Sequence, residues 1–141
     1  MAACSVLLAV AAASEPAASG DTVSLKINVT GLRSNDGNVH IALYDDPQRF
    51  PDSDGMILKI EAPITDRVAH HTFRALAKKR YAIAVYHDEN DNDAFDQGFL
   101  GLPLEGFAFS NEATVFLGPP SFEAAAFDLD RALTIRIGID E

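Results

Sequence analysis

The chain contains no tryptophan and a single cysteine. Without tryptophan, a role that stacks sugars on large aromatic rings loses its best side chain. The cysteine, Cys4, lies within residues 1–19, so residues 20–141 hold no disulfide, no thiolate nucleophile and no cysteine metal ligand. Positive charge is also scarce: 11 Lys and Arg stand against 21 Asp and Glu, for a formal net charge of −10. Such a surface repels phosphate backbones, which excludes nucleic acid as an expected partner and favours cations or basic partners. No apolar run approaches the ~20 residues of a membrane-spanning helix, so no transmembrane segment is expected. A glycine-rich phosphate loop and a GxSxG nucleophile elbow are missing too.

What is present fits one domain. The chain has 141 residues, 48% of them hydrophobic, enough for a core and too many for disorder. Residues 1–19, MAACSVLLAVAAASEPAAS, are different material, with no Lys or Arg and an apolar stretch from Val6 to Ala13. That stretch is short and is followed by small residues, as in the h-region and cleavage site of a signal peptide. Residues 1–19 are therefore read as a signal peptide or a disordered leader, and residues 20–141 as a single domain that is exported, periplasmic or extracellular. A lipoprotein anchored through Cys4 is disfavoured, because the apolar run follows the cysteine where a lipoprotein signal has it before.

From Thr22 onward the period is two. Val23, Leu25, Ile27 and Val29 alternate with polar residues, the pattern of a half-buried strand. Asn35-Asp36-Gly37 marks a turn before Val39, Ile41 and Leu43. Further strands are expected over residues 56–64, 67–75, 80–87, 114–117 and 133–139. Roughly seven short strands without a long helical period predict an all-β, antiparallel β-sandwich, immunoglobulin-like or prealbumin-like. Ser121 predicts the N-cap of one short helix over residues 122–126.

The most distinctive segment is DENDNDAFD, residues 88–96, entered directly from a strand. Seven of its nine residues carry oxygen-bearing side chains and five are acidic. Calcium takes about six to eight oxygen ligands. Asp88, Asn90, Asn92 and Asp96 occupy relative positions 1, 3, 5 and 9, as in an EF-hand loop. The fit fails where that loop needs Gly and a bidentate Glu, since Asp93 and Phe99 stand there. The expectation is a calcium site of another kind, built from Asp88, Asn90, Asn92 and Asp96 and completed by Glu105. The competing reading is a solvated turn, which Asp and Asn favour through their own hydrogen bonds. If strands simply alternate in direction, this loop shares its end of the sandwich with Asn35, Asp36 and Asp66 and lies opposite Asp45.

Other residues point less sharply. His40, His70, His71 and His87 lie in strand patterns and read as surface or hydrogen-bonded histidines. Ser110 and Ser121 lack a nucleophile context. Asp96 with Glu105 is an acid/base pair in name, without an accompanying nucleophile, so a hydrolase is the least favoured reading. Tyr44, Phe50, Phe73, Tyr81, Phe107, Phe109 and Phe127 read as core residues.

Three segments together carry a family resemblance: GNVHIALYDDPQRFP, RYAIAVYHDENDNDAFDQGFLGLPLEGFAFSN and GPPSFEAAAF. They resemble the DUF2141 family of uncharacterised bacterial proteins, over roughly residues 23–139. The resemblance implies an exported β-sandwich and names no activity. Asp91 and Ala108 stand where that family usually has Gly. A looser similarity links the strand-into-loop pattern to prealbumin-like and collagen-adhesin B-type sandwiches. Transthyretin-related hydrolases of that shape use a Tyr-Arg-Gly-Ser ending, which IRIGIDE does not resemble. The favoured function is a non-enzymatic exported domain holding a calcium ion in the acidic loop. The alternative is a metal-free envelope module that contacts a protein or glycan through the loop from Gly98 to Asn111, with Phe99, Leu100, Phe107 and Phe109 as its apolar residues.

Overall fold

The structure, a computed structural model, describes residues 21–98 and 102–140. The expected leader, Phe99 and Leu100 lie outside the described residues. No helix among the described residues is long and apolar enough to cross a membrane.

Eight strands build two sheets: β1 (Thr22–Thr30), β2 (Asn38–Tyr44), β3 (Leu58–Pro63), β4 (Ala69–Ala77), β5 (Lys79–Asp88), β6 (Phe107–Phe109), β7 (Phe127–Leu129) and β8 (Leu133–Gly138). One sheet has the order β4-β1-β8, the other β3-β2-β5-β6, and β7 adds to the far end of β5. This is the expected β-sandwich. One pair departs from the antiparallel rule: β1 and β8 run parallel, with Ile27 opposite Ile135.

Alternation explains the core. Leu25, Ile27 and Val29 of β1 face Val39, Ile41 and Leu43 of β2 and Tyr81, Ile83 and Val85 of β5, and all are buried. β2 and β5 are buried on their second face as well, where Ala42, Tyr44 and Ala82 meet Phe50 and the helix α1 (Phe122–Ala125). Ser121 caps that helix as expected, its side chain accepting the Ala124 N–H. Ser110 ties the helix to the sheet: its Oγ accepts the Ile83 N–H at 2.9 Å and donates to the Ala125 carbonyl at 2.6 Å.

The strand expected over residues 114–117 does not form. Thr114, Val115, Phe116 and Leu117 are exposed and irregular, and β6 and β7 take up the pairing positions on either side of them. Leu117 sits at φ 54° and Gly118 at φ 145°, outside strand geometry, and Pro119 and Pro120 follow.

The acidic loop leaves the sandwich where the alternating topology places it. Asn38 pairs with Asp88, and His87 Nε2 lies 2.8 Å from the Asp36 carbonyl. The Arg67 N–H donates to Asn35 Oδ1 at 2.7 Å, which brings the Asp66 turn to the same end. Asp45 lies at the opposite end, paired with Lys79 at the start of β5. Gly37, at φ +67°, is where the chain crosses this end: a Cβ there would stand 1.7 Å from the Asp88 carbonyl oxygen.

Candidate functional site

The acidic loop begins with a buried carboxylate. Asp88, the last residue of β5, is fully buried and accepts the N–H groups of Asn92 at 3.1 Å and Asp93 at 2.8 Å. His40 Nε2 approaches it at 3.2 Å. Burial alone would push the Asp88 pKa up, but the Asp93 and Asn92 amides and then His40 outweigh it and hold the pKa below its ordinary value. Asp88 thus folds the loop back on itself, as an Asx-type acceptor does in a turn.

The other expected ligands form a second group. The Asn90 amide donates to Asp96 at 2.6 Å, and the Asn92 amide reaches both Asp96 oxygens at 3.0 and 3.1 Å. Glu105 is buried, and its Oε2 accepts the Asp96 N–H at 3.0 Å. Its Oε1 has no hydrogen-bond partner among the described residues. Burial pushes the Glu105 pKa up, and the charges of Asp96 and Asp88 add to that effect. So Asp96 and Glu105 meet through the backbone of one and the side chain of the other. A trio of carboxylates also converges: Asp88, Asp91 and Asp93 each bring an oxygen within 4.8 Å of the others.

Beside the loop, on the outer face of the five-stranded sheet, lies a cleft of about 890 Å³. Direct cross-strand pairs put their side chains on one face. The pairs His40–Tyr86, Ala42–Ala84, Tyr86–Phe107 and Ala84–Phe109 therefore make its floor. Phe95, Gln97, Leu102 and Pro103 line it, together with Val115, Leu117 and Pro119 of the irregular loop. The rings form a continuous chain of contacts from Tyr44 through Phe50, Phe109, Phe107, Phe95 and Tyr86 to His40. Between them, Ala42 and Ala84 leave the floor low.

Several sequence expectations need correcting here. Phe73, Tyr81 and Phe127 do pack in or against the main core, and Tyr44 and Phe50 are buried in the second cluster, but Phe107 and Phe109 are only half-buried and, with one side of Tyr44, line the cleft. His40 and His87 are buried, with His40 at the cleft's acidic end and its Nδ1 without a partner. His70 is exposed and His71 half-buried against Phe73. The cleft had a signal in the sequence. HIALY and YAIAVY are apolar at nearly every position, whereas a strand with one wet face alternates. Such runs announce a second covered face.

A two-sheet β-sandwich with an aromatic cleft beside an acidic loop is the class of domain that these features define. The chain belongs to the DUF2141 family, described as uncharacterised protein conserved in bacteria, whose profile matches residues 27–136. No curated protein matches the sequence. Among solved structures, a pilus-presented adhesin is similar to it, with 17% identity and a TM-score of 0.29, over 86% of this chain and 28% of the adhesin.

Proposed function

We propose that this domain is a non-enzymatic binding module whose ligand occupies the cleft on the outer face of the five-stranded sheet. The observation that carries the reading is the volume, about 890 Å³, floored by aromatic rings and two alanines. That size and lining suit a compact apolar ligand or the side chains of a protein partner. The loop from Gly98 to Asn111 enters this reading through Leu102 and Pro103 at the side of the cleft and Phe107 and Phe109 on its floor. The test is titration of the protein with the neutral dye Nile red. Wild type should bind at one site, and Ala84→Trp, which fills the floor, should weaken binding at least tenfold while keeping the circular dichroism spectrum. Unchanged affinity in a folded Ala84→Trp protein would remove the cleft from the account.

A second reading is calcium binding by the loop of Asp88, Asn90, Asn92, Asp96 and Glu105. The convergence of Asp88, Asp91 and Asp93 within 4.8 Å favours a cation in this loop, though it shares only Asp88 with that set. The two N–H groups held by Asp88 compete with it, because they already occupy that carboxylate. An ion that binds only the folded state raises its stability by mass action. Equal melting midpoints in millimolar calcium and in EDTA would end this reading. Export is also part of the proposal, supported by the leader's apolar run and small residues. Full-length protein recovered from the bacterial cytoplasm with Met1 intact would count against it.

A further inference from the structure

We propose that the His40 end of the cleft is a cation subsite, so that the module's ligand carries an ammonium or guanidinium group on an apolar body. This rests on the cleft being the binding site. At that end Tyr86 and Phe95 stand 5.5 Å apart at 57°, and Phe95 and Phe107 5.6 Å apart at 73°. Phe95 thus stands steeply to both floor rings, Tyr86 and Phe107, as the wall of a three-ring box. A positive nitrogen is attracted to ring faces through their quadrupole, more strongly where water is excluded.

The charges around this box have one dominant sign. Glu61 is the cross-strand neighbour of His40 on the same face, and Asp93 reaches over from the acidic loop. One carboxylate oxygen of each and a ring nitrogen of His40 lie within 4.8 Å of one another. Asp88 and Glu105 add negative charge behind Tyr86, whose hydroxyl is pushed up to about 12 by burial first and then by Asp88, Glu105, Asp93 and Glu61. His40 is stacked on Tyr86 at 4.5 Å and turns its Nε2 to Asp88. Lys59, opposite Ala42, is the one Lys or Arg among the described cleft residues. A ligand with an anionic head would set that lysine against four carboxylates. The acidic composition of the whole chain acts in the same direction at longer range.

The experiment uses the full chain and three eight-carbon probes, octyltrimethylammonium, 1-octanol and octanoate, by calorimetric titration at physiological salt. The cationic probe should bind at least tenfold tighter than octanoate. The double variant Glu61→Gln/Asp93→Asn should erase that preference and leave 1-octanol unchanged. Both side chains are solvent-exposed, so the variant keeps its fold, and its melting midpoint reports this. Phe95→Leu should weaken the cationic probe more than the alcohol. If the alcohol binds and the cation shows no preference, or if the preference survives in the double variant, the cation subsite is wrong while the cleft reading stands. If none of the three binds, both fall. Zinc bound by Glu61 and Asp93 in the absence of any ammonium binding would assign these carboxylates to a metal and overturn the subsite.

Discussion

His40 Nε2 and Asp88 Oδ2 lie 3.2 Å apart, and neither side chain is more than 1% exposed. The pair joins β2 to the end of β5 at the root of the acidic loop, where Asp88 also gathers the Asn92 and Asp93 amides. Removing Asp88 leaves His40 Nε2 and two backbone amides without their acceptor, and each buried polar group left unsatisfied costs about 1–3 kcal/mol. Asp88→Ala should therefore lower stability in urea unfolding by about 3 kcal/mol or more. A loss below about 1 kcal/mol would mean that the loop folds without its first carboxylate.

Stability should depend on pH in two opposed ways. The Asp88 pKa is depressed, and the Glu89 pKa is brought to about 2, chiefly by its hydrogen bond from Arg33. A carboxyl with a depressed folded pKa stabilises the fold above its unfolded value, near ~4, and that stability is lost as pH falls through the folded value. Glu105 is raised, so its contribution is present below the unfolded value and lost as pH rises through the folded one. The fold should weaken on the acid side of about pH 4 and also weaken modestly on the neutral side. Glu105→Gln should flatten the neutral-side decline and leave the acid limb in place. Thermal melts from pH 2.5 to 7.5 read both limbs, and a mutant curve parallel to wild type throughout would refute the assignment of Glu105.

Much of the fold was legible because each strand carries its own pattern. Val23 to Val29 alternates, Asn35-Asp36-Gly37 turns, and the direction of β5 then places Asp88 beside Asp36 and away from Asp45. The failure at Thr114 to Leu117 has a physical cause. Four apolar or β-branched residues become a strand only against a partner, and β6 and β7 already occupy the neighbouring positions on β5. The parallel pairing of β8 on β1 involves residues about a hundred positions apart, which no local pattern encodes. The acidic loop was legible as a composition and in part as a cluster: Asn90, Asn92 and Asp96 meet as their alternate spacing proposed, whereas Asp88 turns inward to backbone amides. The cleft was missed because Phe107 and Phe109 look alike whether they plug a core or floor a groove. Only the double-sided apolarity of β2 and β5 distinguishes the two.

Gly37 should tolerate no side chain. Its φ of +67° is unfavourable for an L-residue by about 1–2 kcal/mol. A Cβ 1.7 Å from the Asp88 carbonyl oxygen would also force the turn before β2 away from the end of β5. Gly37→Ala should thus cost more than about 2 kcal/mol, beyond the conformational term alone. Hydrogen exchange should show the opening concentrated at the Asn38–Asp88 end of the sheet. Uniform loss of protection along β2 would locate the strain elsewhere.

Ser110→Ala removes one hydroxyl and orphans two buried groups, the Ile83 N–H and the Ala125 carbonyl. At about 1–3 kcal/mol for each unsatisfied group, the expected loss is about 2–6 kcal/mol. Because α1 covers the second face of β2 and β5 through this contact, the aromatic cluster around Phe50 and Phe122 should loosen first. Near-ultraviolet circular dichroism should lose amplitude before the far-ultraviolet signal does. Coincident loss of both signals would show that helix and sheet unfold as one unit.

Leu117 is 96% exposed and its backbone sits at φ 54°, a combination that stability does not explain. A bulky apolar residue in the left-handed region is strained, and Asn adopts that region more readily. Leu117→Asn should leave the melting midpoint unchanged or raise it, since exposed substitutions stay within about 0.5 kcal/mol. Leu117 nevertheless lines the cleft, while its neighbour Phe116, 84% exposed, does not. Under the proposed function, Leu117→Asn should therefore weaken Nile red binding several-fold, and Phe116→Ser should leave it unchanged. Both variants should melt like wild type, so the contrast isolates binding from folding. Equal effects of the two on the dye would point to a general stickiness of the loop, and a loss of stability in Leu117→Asn would show that this side chain contributes to packing.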